Sequence, residues 1–268
     1  MVYGIIRLIN FAHGDVYMMG AYVGYFCMTV LGLGVLPSIL VSIVVCMFLG
    51  VAIEKVAYKP LRNSPRIAAL ITAIGVSLFL EYAMVFAVKA NVRTYPPLTG
   101  WFAESYKFGN VTVSAMQILM LAVTVILMVL LQVIVKKTKV GRSMRAVSLD
   151  RDAAELMGIS VDRTISYTFA IGSALAGAAG ILIGLYYNSI NPLMGVMPGL
   201  KAFVAAVFGG IGVIPGAMIG GYFIGMVEVF VAGYVSSLYK DAAVFAILIL
   251  VLILKPAGLL GKNTGEKV

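Results

Sequence analysis

The sequence predicts a polytopic all-α membrane protein, and three observations carry that prediction. Hydrophobic residues make up 62% of the 268-residue chain and charged residues only 12%, about half the charged share of an ordinary soluble domain. Mean hydropathy is +1.04. Whole segments are apolar on every face, such as "VSAMQILMLAVTVILMVLLQVIV" at 113–135. That segment holds no ionisable side chain, and at about 1.5 Å per residue it crosses a hydrocarbon layer roughly 30 Å thick. Runs near twenty residues long, in place of short alternating segments, select helices over a β-barrel.

Taken in order, eight or nine apolar segments emerge, two of them in broken helices. A short piece at 2–12 leads through "HGD" into 16–31. Asn10, His13 and Asp15 at this break carry side chains suited to the backbone groups that an interrupted helix frees. Segments 36–53, 67–88, 113–135 and 165–187 follow. The last third holds 200–211, 217–235 and 242–254, the first two divided by "GGIGVIPG". "FAHGDVYMMGAY" at 11–22 and "FGGIGVIPGAMIGGY" at 208–222 share a layout: a short apolar piece, a glycine-broken segment, then small residues leading a longer helix. Such an echo is the signature of transporter folds whose interrupted helices place backbone groups at the midplane. Gly20 and Gly24, Gly180 and Gly184, the series Gly212, Gly216 and Gly220, and the pair Gly221 and Gly225 are spaced for close helix approach. They indicate a compact bundle without marking a dimer face.

Loop charge orients the chain. The net charge of +9 reflects basic residues collecting in cytoplasmic loops rather than a nucleic-acid surface. Lys55, Lys59, Arg62 and Arg66 occupy one loop. Lys136, Lys137, Lys139, Arg142, Arg145, Arg151 and Arg163 occupy the next but one, so both face the cytoplasm. The intervening "KANVRTYPPLTGWFAESYKFGN" is then external, with Tyr95, Pro96, Pro97, Trp101 and Tyr106 suited to an interfacial cap. An internal tail, "KNTGEKV", requires an odd number of crossings after Asn188. Cys27 and Cys46 fall in apolar runs and read as packing residues, not as a disulfide or zinc framework. No cleavable signal peptide is recognisable, because Arg7 and Asn10 interrupt the first apolar stretch.

Chemistry is sparse. One histidine cannot build a zinc site, so no metal is expected at His13. Arg7, Glu81, Lys201, Glu228 and Asp241 are the other charges in or near spans. Most lie where they can snorkel or pair, and Glu228 reads as the deepest. "GLLGKNTG" lacks the spacing of a phosphate loop and has Asn263 where Ser or Thr is required. Neither Gly-x-Ser-x-Gly nor HExxH occurs. The chain reads as a non-enzyme without a cofactor of its own.

The exception to all this apolar text is the loop at 136–164, "KKTKVGRSMRAVSLDRDAAELMGISVDRT". A loop of this length in a compact protein is functional or disordered. Ala146, Val147, Leu149, Ala153, Ala154, Leu156 and Met157 argue for a local amphipathic helix, capped by Asp150 or Asp152 and ended by Gly158. An ordered helix on the cytoplasmic face, flanked by arginines, suits docking into a partner's groove.

Within it, "DAAELMG" resembles the EAA-xxx-G loop of ABC importer permeases, with Asp152 in the place of Glu and without the I-x-L-P ending. "YGIIRLINFAHGDVYMMGAYVGY", "MRAVSLDRDAAELMGISVDRTISYTFAIGSALAGAAGIL" and "GLKAFVAAVFGGIGVIPGAMIGGYFIG" resemble, in that order, the branched-chain amino acid (Liv-type) ABC permeases. The resemblance implies one transmembrane permease domain over 1–268, with a further first helix expected upstream of residue 1. It also implies a multi-pass location in the cytoplasmic (inner) membrane of a prokaryote, among membrane lipid, with leucine, isoleucine or valine as substrate. The implied partners are a second permease subunit as a heterodimer, two cytoplasmic ATPase subunits that bind the ATP, and an external substrate-binding protein.

By the same resemblance, Arg142, Arg145, Asp150, Asp152, Ala153, Ala154, Glu155 and Gly158 couple to the ATPase. Candidates for the transport path, chosen for their helix-breaking content, are Asn10, His13, Gly14, Asp15, Gly209, Gly210, Gly212 and Gly216. Two rivals stand beside this reading. An ion-coupled secondary amino acid transporter would use Asp15 and Glu228 but leaves the loop without a purpose. A membrane enzyme using His13 and Asp15 lacks a supporting constellation.

Overall fold

A computed structural model describes residues 10–62, 64–109 and 111–261. Arg7, most of the 2–12 segment and the tail beyond Gly261 lie outside the described residues. Among those described, ten α-helices and one hairpin follow in order. They are α1 (His13–Thr29), α2 (Val35–Ile53), α3 (Arg66–Val88), β1 (Ser105–Phe108), β2 (Val111–Ser114) and α4 (Ala115–Lys137). Then come α5 (Lys139–Leu149), α6 (Arg151–Leu156), α7 (Val161–Tyr187), α8 (Val196–Gly209), α9 (Ile214–Tyr234) and α10 (Lys240–Leu254). Five helices are long and apolar enough to cross a membrane: α2 with its continuation to Leu61, α3, α4, α7 and α9. The protein is a polytopic helical bundle.

Local chemistry sets the boundaries. Ser114 and Gln117 form a reciprocal capping box, each side chain accepting from the other's backbone N–H at 3.2 and 3.0 Å. Helix α4 therefore starts at Ala115, and residues 113–114, read from sequence as part of the span, belong to β2. Pro215 occupies the first turn of α9, where its missing N–H costs no helical hydrogen bond. Helix α2 does not stop at Ile53. It continues through a π-helical turn at Glu54–Tyr58 and a 3-10 turn at Lys59–Leu61.

Helix α7 is the central rod. Its most apolar window is 72% buried, against 6% for α4, which lies on the outside. Helices α1 and α2 pack directly on it, and glycines make that possible. A Cβ on Gly20 would lie 2.5 Å from Gly177 Cα, and one on Gly177 would lie 2.7 Å from Cys46 Cβ. Ser42, fully buried on α2, shares its hydroxyl hydrogen between the carbonyls of Gly20 (2.9 Å) and Gly177 (3.1 Å), joining three helices at one point. Gly180 meets Tyr17 O, and Gly50 meets Ser173. Backbones this close gain dispersion contacts that larger side chains would prevent.

In the segment between α3 and β1, Tyr95 is buried and donates to Ala21 O at 2.5 Å, while Arg93 and Ile190 exchange two backbone hydrogen bonds of 2.9 Å. Tyr95 is therefore a core residue rather than part of an interfacial cap. Helices α8 and α9 form an antiparallel pair, with Gly209 against Gly216 and Gly220 against Ala205. Lys201 on α8 ties the pair to α10 through ion pairs with Glu228 and, at 2.6 Å, Asp241. The Glu228 side chain is 25% exposed, whereas Glu54 is fully buried and Asp15 nearly so.

The glycine contacts make distinct predictions. Gly177→Ala forces Cys46 and Ser42 aside and destabilises the solubilised protein by about 1–3 kcal/mol. Gly225→Ala, with nothing within 4 Å of its new methyl, is neutral or stabilising by up to about 1 kcal/mol through helix propensity. Thermal unfolding in detergent distinguishes them.

Candidate functional site

Two places carry polar groups that packing alone does not require. The first is a cavity of about 400 Å³ walled by α1, α3, α4, α7, α8 and α9. Ser77 halfway along α3 and Leu175 halfway along α7 line it, which puts it at mid-depth of the bundle. Helix α1 starts here at His13, whose N–H reaches Asn10 O at 3.3 Å. The polar residues of the break do not cap it, since no side chain accepts from its first turn. They reach instead to neighbouring elements: Asn10 Oδ1 accepts from Tyr58 O–H at 2.8 Å, and Asp15 Oδ2 accepts from Ser77 O–H. Gly14 lies against the backbone of Gly195 and Gly199, so the N-termini of α1 and α8 meet at this point.

Asn10, His13, Gly14 and Asp15 all line the cavity, with Ser77 and Glu81 from α3 opposite. Gly209, Gly210, Gly212 and Gly216 are not among its lining residues. Gly209 and Gly216 pack on one another, while Gly210 and Gly212 have positive φ (+105° and +89°) in the tight turn between α8 and α9. Gly210 packs there on Gly258 and Gly261. The segment that faces the first break is "NPLMGVMPG" at 191–199, between the apolar segments 165–187 and 200–211 and missed in the sequence. Its two prolines and two glycines were the available signal.

The second place is the loop at 136–164. It holds two helices where one was expected. Asp150 breaks the run with an extended backbone (φ −150°, ψ 121°), and its carboxylate accepts from Ala153 N at 3.0 Å. Asp150, rather than Asp152, is therefore the cap of α6. Thr138 caps α5, and Arg145 donates to Val135 O at the end of α4. Gly158 closes α6 with φ +79°, while the N–H of Ile159 returns to Ala154 O at 3.0 Å. Ala154 is buried. Arg142, Arg145, Asp152, Ala153 and Glu155 are exposed. So are three large apolar side chains, Leu149 at 84%, Leu156 at 90% and Met157 at 82%.

A charge cluster joins this loop to the bundle. Fully buried Glu54, in the π-helical turn, pairs with Arg62 and accepts from Ser166 O–H at 2.7 Å. Arg62 also pairs with Asp162, two residues beyond the cap of α7, and Lys59 approaches Asp162 at 2.8 Å. Tyr58, four residues from Glu54, holds Asn10 at the cavity. Sequence reasoning missed Glu54; the signal was a lone acid directly after an apolar run. Among the described residues no three His, Cys, Asp or Glu side chains come together as metal ligands do.

Residues 1–252 match the family described as branched-chain amino acid transport system, permease component. The chain belongs to that family. It is 43% identical to the high-affinity branched-chain amino acid transport system permease protein LivH of Salmonella typhimurium, over all of this chain and 90% of the relative. BraD of Pseudomonas aeruginosa, described in the same words, is 44% identical over all of this chain and 91% of its own. The probable branched-chain permease LivH of Methanocaldococcus jannaschii is 29% identical over 94% and 82%. No solved structure matches the chain. The protein is thus a permease component of a transport system, a multi-pass protein of the cytoplasmic membrane. Family membership does not favour the ion-coupled alternative.

The buried cluster predicts an asymmetric response. Arg62→Ala leaves the Glu54 carboxylate uncompensated and destabilises by about 3–5 kcal/mol, much of which Glu54→Gln in the same chain recovers. Lys59→Ala removes only an exposed pair and stays within about 1 kcal/mol. Thermal unfolding of the three variants in detergent checks this.

Proposed function

We propose that this chain is the membrane-spanning subunit of an ABC importer carrying leucine, isoleucine and valine into a prokaryotic cell. One observation carries the reading in a chain of this family: α6 presents Leu156 and Met157 almost fully exposed at the end of an ordered, capped segment. Exposed large apolar side chains held on a rigid helix form the anchor of an interface.

In this reading the whole chain, 1–268, acts as one permease domain with 136–164 as its coupling loop. Two cytoplasmic ATPase subunits bind the ATP, and one seats α6. Arg142, Arg145, Asp152 and Glu155 form the polar rim with the small exposed Ala153 among them, Asp150 and Gly158 fix the ends of the helix, and the buried Ala154 seats it on the bundle. A second permease subunit completes the membrane unit, and an external binding protein delivers substrate. The permease itself neither binds nucleotide nor performs bond chemistry. Its switch needs only that the two ATPase states contact α6 differently.

The route inward is short. Displacement of α6 pulls on Ser160 and Asp162 at the start of α7, and Asp162 acts through Arg62 on the turn that carries Glu54 and Tyr58. Tyr58 holds Asn10, at the wall of the cavity. Asn10, His13, Gly14 and Asp15 belong to the transport path. Gly209, Gly210, Gly212 and Gly216 provide the tight turn that closes α8 on α9.

Leu156→Asp with Met157→Asp leaves thermal stability within about 0.5 kcal/mol, as surface changes do. The same pair of changes abolishes co-purification of the ATPase subunits and ATP-dependent leucine uptake in proteoliposomes. Retained uptake and co-purification would count against the docking role. Leucine accumulation driven by an ion gradient without ATP would overturn the importer reading itself.

A further inference from the structure

The mid-depth cavity holds two buried carboxyl groups that no cation among the described residues neutralises. Asp15 is 2% exposed and Glu81 is 7% exposed, and both line the cavity. Ser77 donates to Asp15. Two carboxylates bordering one low-dielectric space repel each other, and a cation placed between them relieves that repulsion. Among the described residues neither has an ion-pair partner: Arg62 pairs with Glu54 and Asp162, Lys201 pairs with Glu228 and Asp241, and His13, which also lines the cavity, forms no salt bridge with either. An unbalanced charge at membrane depth is costly and marks a ligand or an ion path.

The rest of the wall indicates which cation belongs there. A bare metal ion would use a tight shell of oxygens. Here about 400 Å³ is available, and Leu131, Leu175 and Phe203 make one side apolar. That is the size and lining of a small-molecule site. On the polar side, Gly14 and Gly195 bring the N-termini of α1 and α8, of 17 and 14 residues, against the same space. Helix N-termini carry positive partial charge suited to a carboxylate. One small cation, one small anion a few ångströms away and an apolar remainder together describe an α-amino acid with an aliphatic side chain.

Resting on the importer reading above, we infer that this cavity is a transient binding site for the transported zwitterion. The Asp15–Glu81 pair takes the α-ammonium, with Ser77 fixing Asp15. The meeting N-termini at Gly14 and Gly195 take the carboxylate, and Phe203, Leu175 and Leu131 take the branched side chain. The site adds selection inside the membrane to whatever is selected outside it. Because Asn10 shares this wall, the relay through Tyr58 reaches the bound solute directly.

The test uses the complete transporter, both permeases with the ATPases and binding protein, in proteoliposomes. In Asp15→Asn and Glu81→Gln, leucine uptake falls at least about tenfold, the signature of a lost charge contact in the transport step. ATP hydrolysis stimulated by the leucine-loaded binding protein stays within about twofold, and Glu81→Asp partly restores uptake. Phe203→Trp shortens the apolar end and lowers leucine transport relative to valine by about fivefold or more, within the range one methylene can discriminate. That ratio is read within one preparation and does not depend on how much protein assembles. Wild-type uptake by both carboxamide variants, or an unchanged leucine-to-valine ratio in Phe203→Trp, overturns the site. Wild-type uptake that ignores ATP overturns the importer reading instead.

Discussion

The structure depends on backbone-to-backbone contact between α1, α2 and the central helix α7. In a membrane, apolar side chains gain little by leaving lipid for protein, so close van der Waals fit and shared hydrogen bonds must hold helices together. Gly20, Gly177 and Gly180 remove the side chains that would keep the axes apart, and Ser42 donates into the gap between two carbonyls. Everything polar in the bundle is placed relative to this three-helix contact. It sets the start of α1 at mid-depth, where Gly14 can meet α8, and it aims Asp15 toward α3.

The distribution of buried charge follows from that scaffold. Glu54, Asp15 and Glu81 are all buried, yet they are treated differently. Glu54 is compensated by Arg62 and Ser166, as a structural carboxylate at depth must be. Asp15 accepts from Ser77, and among the described residues neither it nor Glu81 has a cation beside it. The same chemistry thus makes Glu54 part of the framework, and it is the reason the proposed path is drawn through Asp15 and Glu81.

Much of this was legible in the sequence. The long spans, the basic loops and the ends of the coupling segment follow from hydropathy, charge bias and the capping preferences of Asp and Gly, and the structure differs from them by a few residues. Capping chemistry accounts for the differences: Ser114 with Gln117 moved the start of α4, and Asp150 divided one expected helix into two. Tertiary contact was harder to read. The shared layout of the two glycine-broken stretches does not say what either packs against: Gly14 faces Gly195 and Gly199. Glycine spacing shows that a helix can be approached without showing by what. The partner of Glu228 was hidden too, because a run of apolar neighbours does not reveal the Lys201 that reaches it from another helix.

The brevity of α6 has a mechanical consequence. Six residues are too few for a helix to persist on its own in water, so its shape is imposed by Asp150 at one end and the Gly158 turn at the other. A partner gripping Leu156 therefore meets a surface already set, with little disorder to remove before contact. In the proposed coupling such a lever has almost no play: a push on its tip would arrive at Ser160 as displacement of the α7 axis instead of being absorbed by slack chain.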